Sequence, residues 1–328
     1  MRAFAKNRPH PEEPPQAASR RRGRSTAVRG ETMTIAFIGL GNMGGPMAAN
    51  LVKAGHRVLG FDFSNAALDK ARQAGVDIAP SSAEAAAQAD VIITMLPTGR
   101  HLLAALEAED GLLRAAKKGA LLIDCSTVDM ESARTAHTLA GQRHLKSVDA
   151  PVSGGVGGAV SATLTFMVGG ADDAVALAQP ILEAMGKKIV HCGGAGAGQA
   201  AKICNNMILG ISMIGVSEAF ILGEKLGLTH QALFDVASTA SGQCWSLTSY
   251  CPVPGPVPTS PANRDYAPGF AAPLMLKDLN LSQSAATNSG AHTPLGRRAA
   301  EIFDAFVNHG GAEKDFSGII EFLRAAEG

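Results

Sequence analysis

The chain has 328 residues, a formal net charge of zero, and only 18% charged residues. This length allows about two domains and a large core. A balanced charge gives no electrostatic footprint for nucleic acid or for an anionic membrane, so we expect neither as a partner.

The thiols and imidazoles do not form the pattern of a structural site. The five cysteines are an odd number without a Cys-x-x-Cys pair, and the nine histidines lack ligand spacing. These features argue against a disulfide framework and against a zinc site. We therefore predict reduced thiols, no metal and a cytoplasmic location.

Residues 1–32 are rich in proline and then in arginine, without hydrophobic periodicity, which predicts a disordered extension. The lack of an apolar core excludes a secretory signal. The arginines leave open a mitochondrial transit peptide and a matrix location, although the prolines and Glu12–Glu13 disfavour an amphipathic helix. We prefer the interpretation that Met33 is the true start, because a strand follows it at once.

A short apolar strand at 34–38 leads into the first glycine-rich motif, Gly-x-Gly-x-x-Gly, and an amphipathic helix follows. A second strand at 58–62 completes a βαβ unit, which is the context that this dinucleotide fingerprint requires. The glycines allow a tight turn and close approach of a pyrophosphate to the helix N-terminus. The predicted contacts are Gly39, Leu40, Gly41, Asn42, Met43 and Gly44.

Asp62 lies 23 residues after Gly39, about the separation expected for the acid that binds the ribose. A carboxylate there accepts hydrogen bonds from the ribose hydroxyls and repels a 2′-phosphate. No arginine follows it in Phe63, Ser64 and Asn65. The sequence therefore favours NAD over NADP.

Two more buried parallel strands are predicted at 90–96 and 119–124. Ligands of open α/β sheets bind outside the carboxyl ends of the strands, so residues just past these ends are candidate cofactor contacts. They are Leu96, Pro97 and Thr127. For Thr127, a cap or turn before the next helix is an equally good interpretation.

A loop of small residues, Ser153, Gly154 and Gly155, lies between apolar strands at 148–152 and 164–169. Consecutive backbone amides in such a loop can gather around a carboxylate. A surface linker is the alternative, but a linker does not need this concentration of glycine. We expect a substrate-binding loop.

The segment 196–226 is predicted to be one long apolar helix, in which Lys202 and Asn206 project from the same face. One interpretation is a core helix whose lysine snorkels to water. The other is an interdomain helix that presents an amine to a cleft. Polar residues interrupt the apolar run, so burial is favoured over a membrane span.

After residue 227 the pattern is helical, except at 241–268, where repeated prolines exclude a helix or central strand. We expect this segment to be a lid or a subunit contact. The predicted helices are 272–288, 294–308 and 314–325. The predicted architecture is a Rossmann-type α/β domain at 33–194, followed by an α-helical substrate and oligomerisation domain at 195–328 that begins with the long helix. Its apolar face predicts a homodimer or homotetramer.

Four motifs occur in order, at 39–55, 149–155, 196–206 and 277–279. Together they resemble the signatures of the β-hydroxyacid dehydrogenase family, and the resemblance extends from Met33 to the C-terminus. Three further segments are similar to the branch that acts on 3-hydroxyisobutyrate, in valine catabolism, more than to the tartronate semialdehyde or glyoxylate reductases. They are Gln243–Ser246, Tyr250–Gly255 and Tyr266–Phe270.

The resemblance implies a small hydroxy-acid substrate and a role for each motif. Lys202 would be the general base and acid, and Asn206 would hold the hydroxyl or carboxylate. Ser153 and the following glycine amides would bind the carboxylate, and Lys277 would reach the cofactor. The alternatives are a semialdehyde reductase of the same family, acting on tartronate or succinic semialdehyde with NAD(P)H, and a catalytically silent NAD-binding module.

Three positions depart from the family pattern. Ala162 and Asn280 stand where glycine is usual, and His101 stands where this branch often has asparagine. We expect Ala162 to restrict the backbone and Asn280 to alter only helix packing. His101 puts one cofactor contact in doubt.

Overall fold

Residues 32–325 are described by a computed structural model. The predictions for the N-terminal extension, disorder or a transit peptide, fall on residues outside this range, apart from Thr32. Residues 34–193 contribute the strands, and residues 197–325 contain helices and connecting segments without a strand of the sheet. A domain boundary at residue 194 stays a proposal.

Nine strands of the described chain form a single sheet. They are β1 (Thr34–Ile38), β2 (Arg57–Phe61), β3 (Asp77–Ile78), β4 (Val91–Thr94), β5 (Leu121–Asp124), β6 (Lys146–Asp149), β7 (Val152–Ser153), β8 (Leu164–Gly170) and β9 (Gly186–Gly193). Their spatial order is β3-β2-β1-β4-β5-β6-β8-β7, and β9 pairs with β8. The first six strands are parallel, as the alternation of strand and helix predicts.

Helices cover both faces of the parallel strands. They are α1 (Gly44–Lys53), α2 (Asn65–Gln73), α3 (Ser82–Gln88), α4 (Gly99–Glu107), α5 (Leu112–Ala115), α6 (Met130–Gln142), α7 (Gly155–Val160) and α8 (Asp172–Glu183). Alternate residues of β1 serve opposite faces: Phe37 belongs to the core with Met47, whereas Ile38 packs with Leu102 on the other side. Burial on both faces explains why the strands are continuously apolar.

The helical half begins with α9 (Ala197–Lys225). The others are α10 (His230–Ala237), α11 (Trp245–Thr248), α12 (Ala272–Ser289), α13 (Pro294–Phe306) and α14 (Ile319–Ala325). Two of the predicted helices begin at the expected residues. The last begins later than predicted, because Asp315 first caps a short 3₁₀ turn by accepting a bond from the amide of Ser317 at 3.0 Å.

By length and composition α9 could cross a membrane, with a mean hydropathy of 1.6 over its most apolar stretch. It is instead the central helix of the helical half, where Met213 and Ile214 pack with Leu279 of α12 and Phe303 of α13. This packing explains the apolar residues on one face of α9. Other apolar residues of the helix, among them Ile208 and Leu222, are exposed.

The proline-rich segment 241–268 packs on α9. Cys251, Val253 and Tyr266 are buried in a cluster with Phe220, and the Tyr266 hydroxyl donates to the carbonyl oxygen of Pro252 at 2.8 Å. The prediction that prolines exclude a helix from this segment is wrong at α11 (Trp245–Thr248) and at a 3₁₀ helix, Pro261–Arg264, because the prolines lie outside the first and at the starting position of the second. The lid stays a prediction. The subunit contact stays a prediction.

Candidate active site

Five parallel strands end level with one another. Ile38 at the end of β1 lies beside Phe61 and Thr94, Thr94 lies beside Asp124, and Asp124 lies beside Asp149. The residues that follow these ends therefore share one edge of the sheet. That edge receives the glycine loop, the acid at 62, the segments 96–97 and 126–127, and the start of the substrate loop, as predicted for an open α/β sheet.

The glycine loop requires glycine at two positions and leaves space at a third. A Cβ on Gly39 would lie 2.3 Å from the carbonyl oxygen of Met95, and one on Gly44 would lie 1.9 Å from that of Gly39. A Cβ on Gly41 would meet nothing within 4 Å. Met43, which precedes α1, makes no side-chain capping bond. The open space before an uncapped helix fits the pyrophosphate of a dinucleotide.

Asp62 holds the glycine loop from the end of β2. Its Oδ2 accepts a hydrogen bond from the amide of Leu40 at 2.7 Å, and its Oδ1 accepts one from the amide of Ser64 at 2.8 Å. Each carboxylate oxygen keeps a lone pair, so the group can also accept bonds from ribose hydroxyls. The structure thus places Asp62 and the glycine loop together, as the fingerprint predicts.

The loops after β4 and β5 are tied to each other beneath the surface. The amide of Leu96 donates to Ser126 Oγ at 2.8 Å, and Ser126 Oγ donates to Asp124 Oδ1 at 2.6 Å. Thr94 Oγ1 donates to the same carboxylate oxygen at 2.7 Å. Burial raises the pKa of Asp124 to about 6, against the lowering effect of these bonds.

Lys277 of α12 reaches this pair of loops. Its Nζ donates to the carbonyl oxygen of Thr127 at 2.9 Å and to that of Pro97 at 3.4 Å. Thr127 does not cap the following helix, so the interpretation of this residue as a helix cap is wrong. Asp129 does, by accepting a bond from the amide of Ser132 at 2.7 Å.

The amine of Lys202 is removed from water. The residue is only 7% exposed, so the interpretation in which its amine snorkels to solvent is wrong. Burial lowers the pKa of Lys202; the charge of Asp278 opposes this shift and that of Lys277 adds to it. A lysine with a lowered pKa can exchange a proton under conditions where an exposed lysine stays protonated.

Asn206, one turn along the same helix face, is 1% exposed. Its Nδ2 donates to Asp278 Oδ2 at 2.5 Å, and its Oδ1 accepts a bond from Asn205 Nδ2 at 2.9 Å. One amide hydrogen of Asn206 is left for another acceptor. Asp278, whose Oδ1 lies 3.5 Å from Lys277 Nζ, thus fixes the amide beside Lys202.

The start of α9 is anchored by Asp149, a residue without a role predicted from the sequence. The preceding residue, Gly196, has φ +83° and no side chain to cap the helix. Asp149, at the end of β6, accepts bonds from the amides of Gly196 at 2.8 Å and Gln199 at 2.9 Å. His137 Nε2 contacts the same carboxylate at 2.9 Å. An acid in this position satisfies free amides at a helix N-terminus.

Gln199 is the second buried polar residue near Lys202 without a role predicted from the sequence. Its Nε2 donates to the carbonyl oxygen of Ser126 at 2.7 Å, and its Oε1 accepts a bond from the amide of Val128 at 3.2 Å. A polar residue in the first turn of an apolar helix, three positions before Lys202, was the available signal.

The substrate loop follows β7, which ends at Ser153. Gly154 and Gly155 have φ +134° and +62°, values that favour glycine. A Cβ on Gly155 would lie 4.0 Å from the carbonyl oxygen of Gly269, so this loop faces the helical half. Asp315 Oδ2 holds that facing segment by accepting a bond from the amide of Gly269 at 2.9 Å.

The three positions that depart from the family pattern have different surroundings in the structure. Ala162 has φ +55°, a left-handed conformation that restricts a residue with a Cβ, in agreement with the expectation. Asn280 is exposed on α12, so the expected effect on helix packing is wrong within the described chain. His101 Nδ1 lies 2.7 Å from Oγ1 of Thr98, the residue that caps α4.

Comparison with known proteins gives matches across both halves. Residues 34–194 match the family described as the NAD binding domain of 6-phosphogluconate dehydrogenase. Residues 196–323 match the family described as NAD-binding of NADP-dependent 3-hydroxyisobutyrate dehydrogenase.

Individual relatives are similar over nearly their whole length. A probable 3-hydroxyisobutyrate dehydrogenase of Mycobacterium tuberculosis H37Rv is 53% identical over 293 residues, which are 89% of this chain and 98% of that protein. The NAD-dependent L-serine dehydrogenase of Pseudomonas aeruginosa is 46% identical over 294 residues, 90% of this chain and 99% of that one. A solved structure described as Mycobacterium tuberculosis 3-hydroxyisobutyrate dehydrogenase with L-serine has a TM-score of 0.85 and 52% identity, and covers 90% of this chain and 100% of its own.

These matches extend over the glycine loop, the substrate loop and the helix that carries Lys202. They agree with the family resemblance of the four motifs and with the Rossmann-type sheet and helical second half. The chain therefore belongs to the 3-hydroxyisobutyrate dehydrogenase family, within the β-hydroxyacid dehydrogenases, and is an oxidoreductase that uses a nicotinamide dinucleotide.

Proposed function

We propose that the protein oxidises 3-hydroxyisobutyrate to methylmalonate semialdehyde with NAD as the hydride acceptor. The observation that carries the proposal is the buried amine of Lys202, whose pKa burial lowers, beside Asn206 and Asp278. Family membership and the relatives named for this substrate support the choice of substrate.

In this proposal Lys202 removes the proton of the substrate hydroxyl while the hydride leaves the same carbon. The bound nicotinamide supplies the hydride acceptor. The O–H electron pair forms the carbonyl, and the proton stays on Lys202 Nζ until it is released to solvent. In the reverse direction the Lys202 ammonium donates this proton to the carbonyl oxygen.

The remaining residues orient the substrate. Ser153 and the amides of Gly154 and Gly155 bind its carboxylate, and the free amide hydrogen of Asn206 donates to its hydroxyl or carboxylate. The dinucleotide would be held by the glycine loop and Asp62, with Leu96, Pro97 and Thr127 just past the strand ends and Lys277 reaching these loops from α12. The carboxylate of Asp62 favours NAD, because a 2′-phosphate would be repelled there.

L-serine is a second candidate substrate. One relative is an L-serine dehydrogenase, and the description of a similar solved structure includes L-serine. Serine shares the primary hydroxyl and the carboxylate with 3-hydroxyisobutyrate, and carries an ammonium in place of the methyl group. The same Lys202 chemistry would serve both compounds.

A substrate panel with NAD and NADP separates the candidates. We expect the highest kcat/KM with 3-hydroxyisobutyrate and NAD. Higher kcat/KM for the oxidation of L-serine or D-glycerate with NAD or NADP, or for the reduction of a semialdehyde with NADH or NADPH, would contradict the proposed substrate. Cofactor binding without turnover of any compound would indicate the silent module.

The variant Lys202→Met tests the role of the amine. Methionine keeps most of the side-chain volume, and we expect kcat to fall by about 10³-fold while cofactor binding persists. Because the neutral amine is the active form in oxidation, wild-type kcat should rise with pH until it passes the lowered pKa of Lys202. Full activity of the variant would refute this mechanism.

The cytoplasmic location and the homodimer or homotetramer stay predictions. Light scattering of the purified chain would give the number of subunits, and a fluorescent fusion would report the location.

A further inference from the structure

Gln199 connects the helix of Lys202 to a loop of the sheet half. It is fully buried, in the first turn of α9. Its side chain donates to the carbonyl oxygen of Ser126 at 2.7 Å and accepts from the amide of Val128 at 3.2 Å, so both ends of one amide are bonded on either side of Thr127. Its own backbone amide donates to Asp149 Oδ2 at 2.9 Å.

We infer that Gln199 is a positioning residue, which sets the place of the Lys202 amine relative to the loop at 126–128. The inference rests on the proposed function, in which that loop lies on the cofactor side. Lys277 bonds the carbonyl oxygen of Thr127, between the two groups that Gln199 holds. Three consecutive residues of the loop are thus tied to α9 and α12.

The geometry explains why the tie affects catalysis as well as stability. A donor and an acceptor on one planar amide fix both the rotation of the helix about its axis and its position along that axis. Lys202 follows by three residues, about 4.5 Å along a rigid helix. A shift at Gln199 therefore reaches the amine almost undiminished, and a misplacement of about 1 Å can lower a rate by about 10²-fold.

The test uses the variant Gln199→Glu, because pH controls whether the introduced carboxyl group is neutral or ionised. When neutral, the introduced carboxyl donates to the Ser126 carbonyl and accepts from Val128, as the amide does. When ionised, it has no donor and faces the carbonyl oxygen. Burial and the negative charges of the neighbouring Asp149 and Asp124 favour the neutral form of the introduced carboxyl. The positive charges of Lys202, on the same helix, and Lys277, from α12, favour its ionised form.

We expect the ratio of variant to wild-type kcat to rise by about tenfold as the pH falls from 9 to 6. Gln199→Met has no titratable group, so its ratio should stay low and independent of pH. KM for NAD should change less than kcat in both variants. A pH-independent ratio for Gln199→Glu, or wild-type kcat for Gln199→Met, would overturn the inference.

Ser217→Ala is the matched control on the same helix. Ser217 is also fully buried and its Oγ donates to the carbonyl oxygen of Met213 at 2.8 Å, far from the loop. The variant should lower the unfolding midpoint in urea without lowering kcat.

If Lys202→Met kept full activity, the proposed function would fail. If Lys202→Met were inactive and Gln199→Met fully active, only the positioning role would fail.

Discussion

The two glycine-rich helix starts look alike in sequence and differ in structure. At α1, a Cβ on Gly41 would meet nothing within 4 Å, and no side chain caps the helix. At α9, Asp149 accepts bonds from the amides of Gly196 and Gln199. A Cβ on Gly198 would lie 2.3 Å from the carbonyl oxygen of Met167.

The difference shows that glycine at a helix start has two uses. At α1 the missing side chain leaves room for an anionic ligand outside the protein. At α9 it lets the helix approach β6 and β8 so closely that a protein carboxylate occupies the position that a ligand would take. A Gly-x-Gly pattern at a helix start therefore indicates that another group comes close to the backbone. Whether that group is a ligand or another part of the protein depends on the residues around the helix start.

The largest expected effect comes from closing the space at α9. Gly198→Ala should lower the free energy of unfolding by about 3 kcal/mol, because the Cβ would overlap backbone atoms that cannot move away easily. Gly215→Ala, in the same helix, meets nothing within 4 Å and should be neutral or stabilising. Urea unfolding of both variants measures this; equal effects would contradict the close approach.

The complementary change at α1 should leave stability almost unaltered. Gly41→Ala places its Cβ in open space, so we expect its free energy of unfolding to lie within about 0.5 kcal/mol of the wild-type value. The Kd for NAD should rise by at least about tenfold, since the methyl group occupies the approach path of the pyrophosphate. Calorimetric titration with NAD tests this prediction. An unchanged affinity would contradict the proposal that the cofactor binds at this loop.

A smaller effect is expected at the acid that holds the α1 loop. Asp62→Ala should reduce the preference for NAD over NADP by about tenfold, because the repulsion of a 2′-phosphate is lost. The ratio of kcat/KM values for the two cofactors is the measurement. Asp69→Ala, an exposed acid in α2, serves as the control for loss of charge. An unchanged ratio in Asp62→Ala would refute the assigned role.

The smallest effect concerns a left-handed residue that is not glycine. Ala162 has φ +55°, and Ala162→Gly should raise the free energy of unfolding by about 0.5–1 kcal/mol, since the strain on Cβ outweighs the added freedom of the unfolded chain. The midpoint of urea unfolding reports the change. A lower midpoint would show that the strain at this position is negligible.

The sequence was informative where the determinants are local. The βαβ unit, the place of Asp62 and the sharing of a helix face by Lys202 and Asn206 all follow from spacing over a few turns or strands. The long helix was predicted at 196–226 and observed at Ala197–Lys225, because one apolar run defines it.

The contacts that fix the site could not be predicted in the same way. Asp149 bonds an amide 47 residues away and Gln199 a carbonyl 73 residues away, and no local pattern specifies such pairs. Thr127 looked like a helix cap because its residue type suits one, yet Asp129 stands nearer to the helix. The prolines between 252 and 258 excluded regular structure there, but burial of this segment depended on the distant surface of α9.

The contacts of Lys277 across the two halves go to main-chain carbonyl oxygens, those of Pro97 and Thr127. Every amino acid supplies such an oxygen, so the link is indifferent to which side chains stand at these two positions. Directed-evolution libraries that randomise 97 and 127 can therefore explore new cofactor-side contacts while this link between the halves is retained.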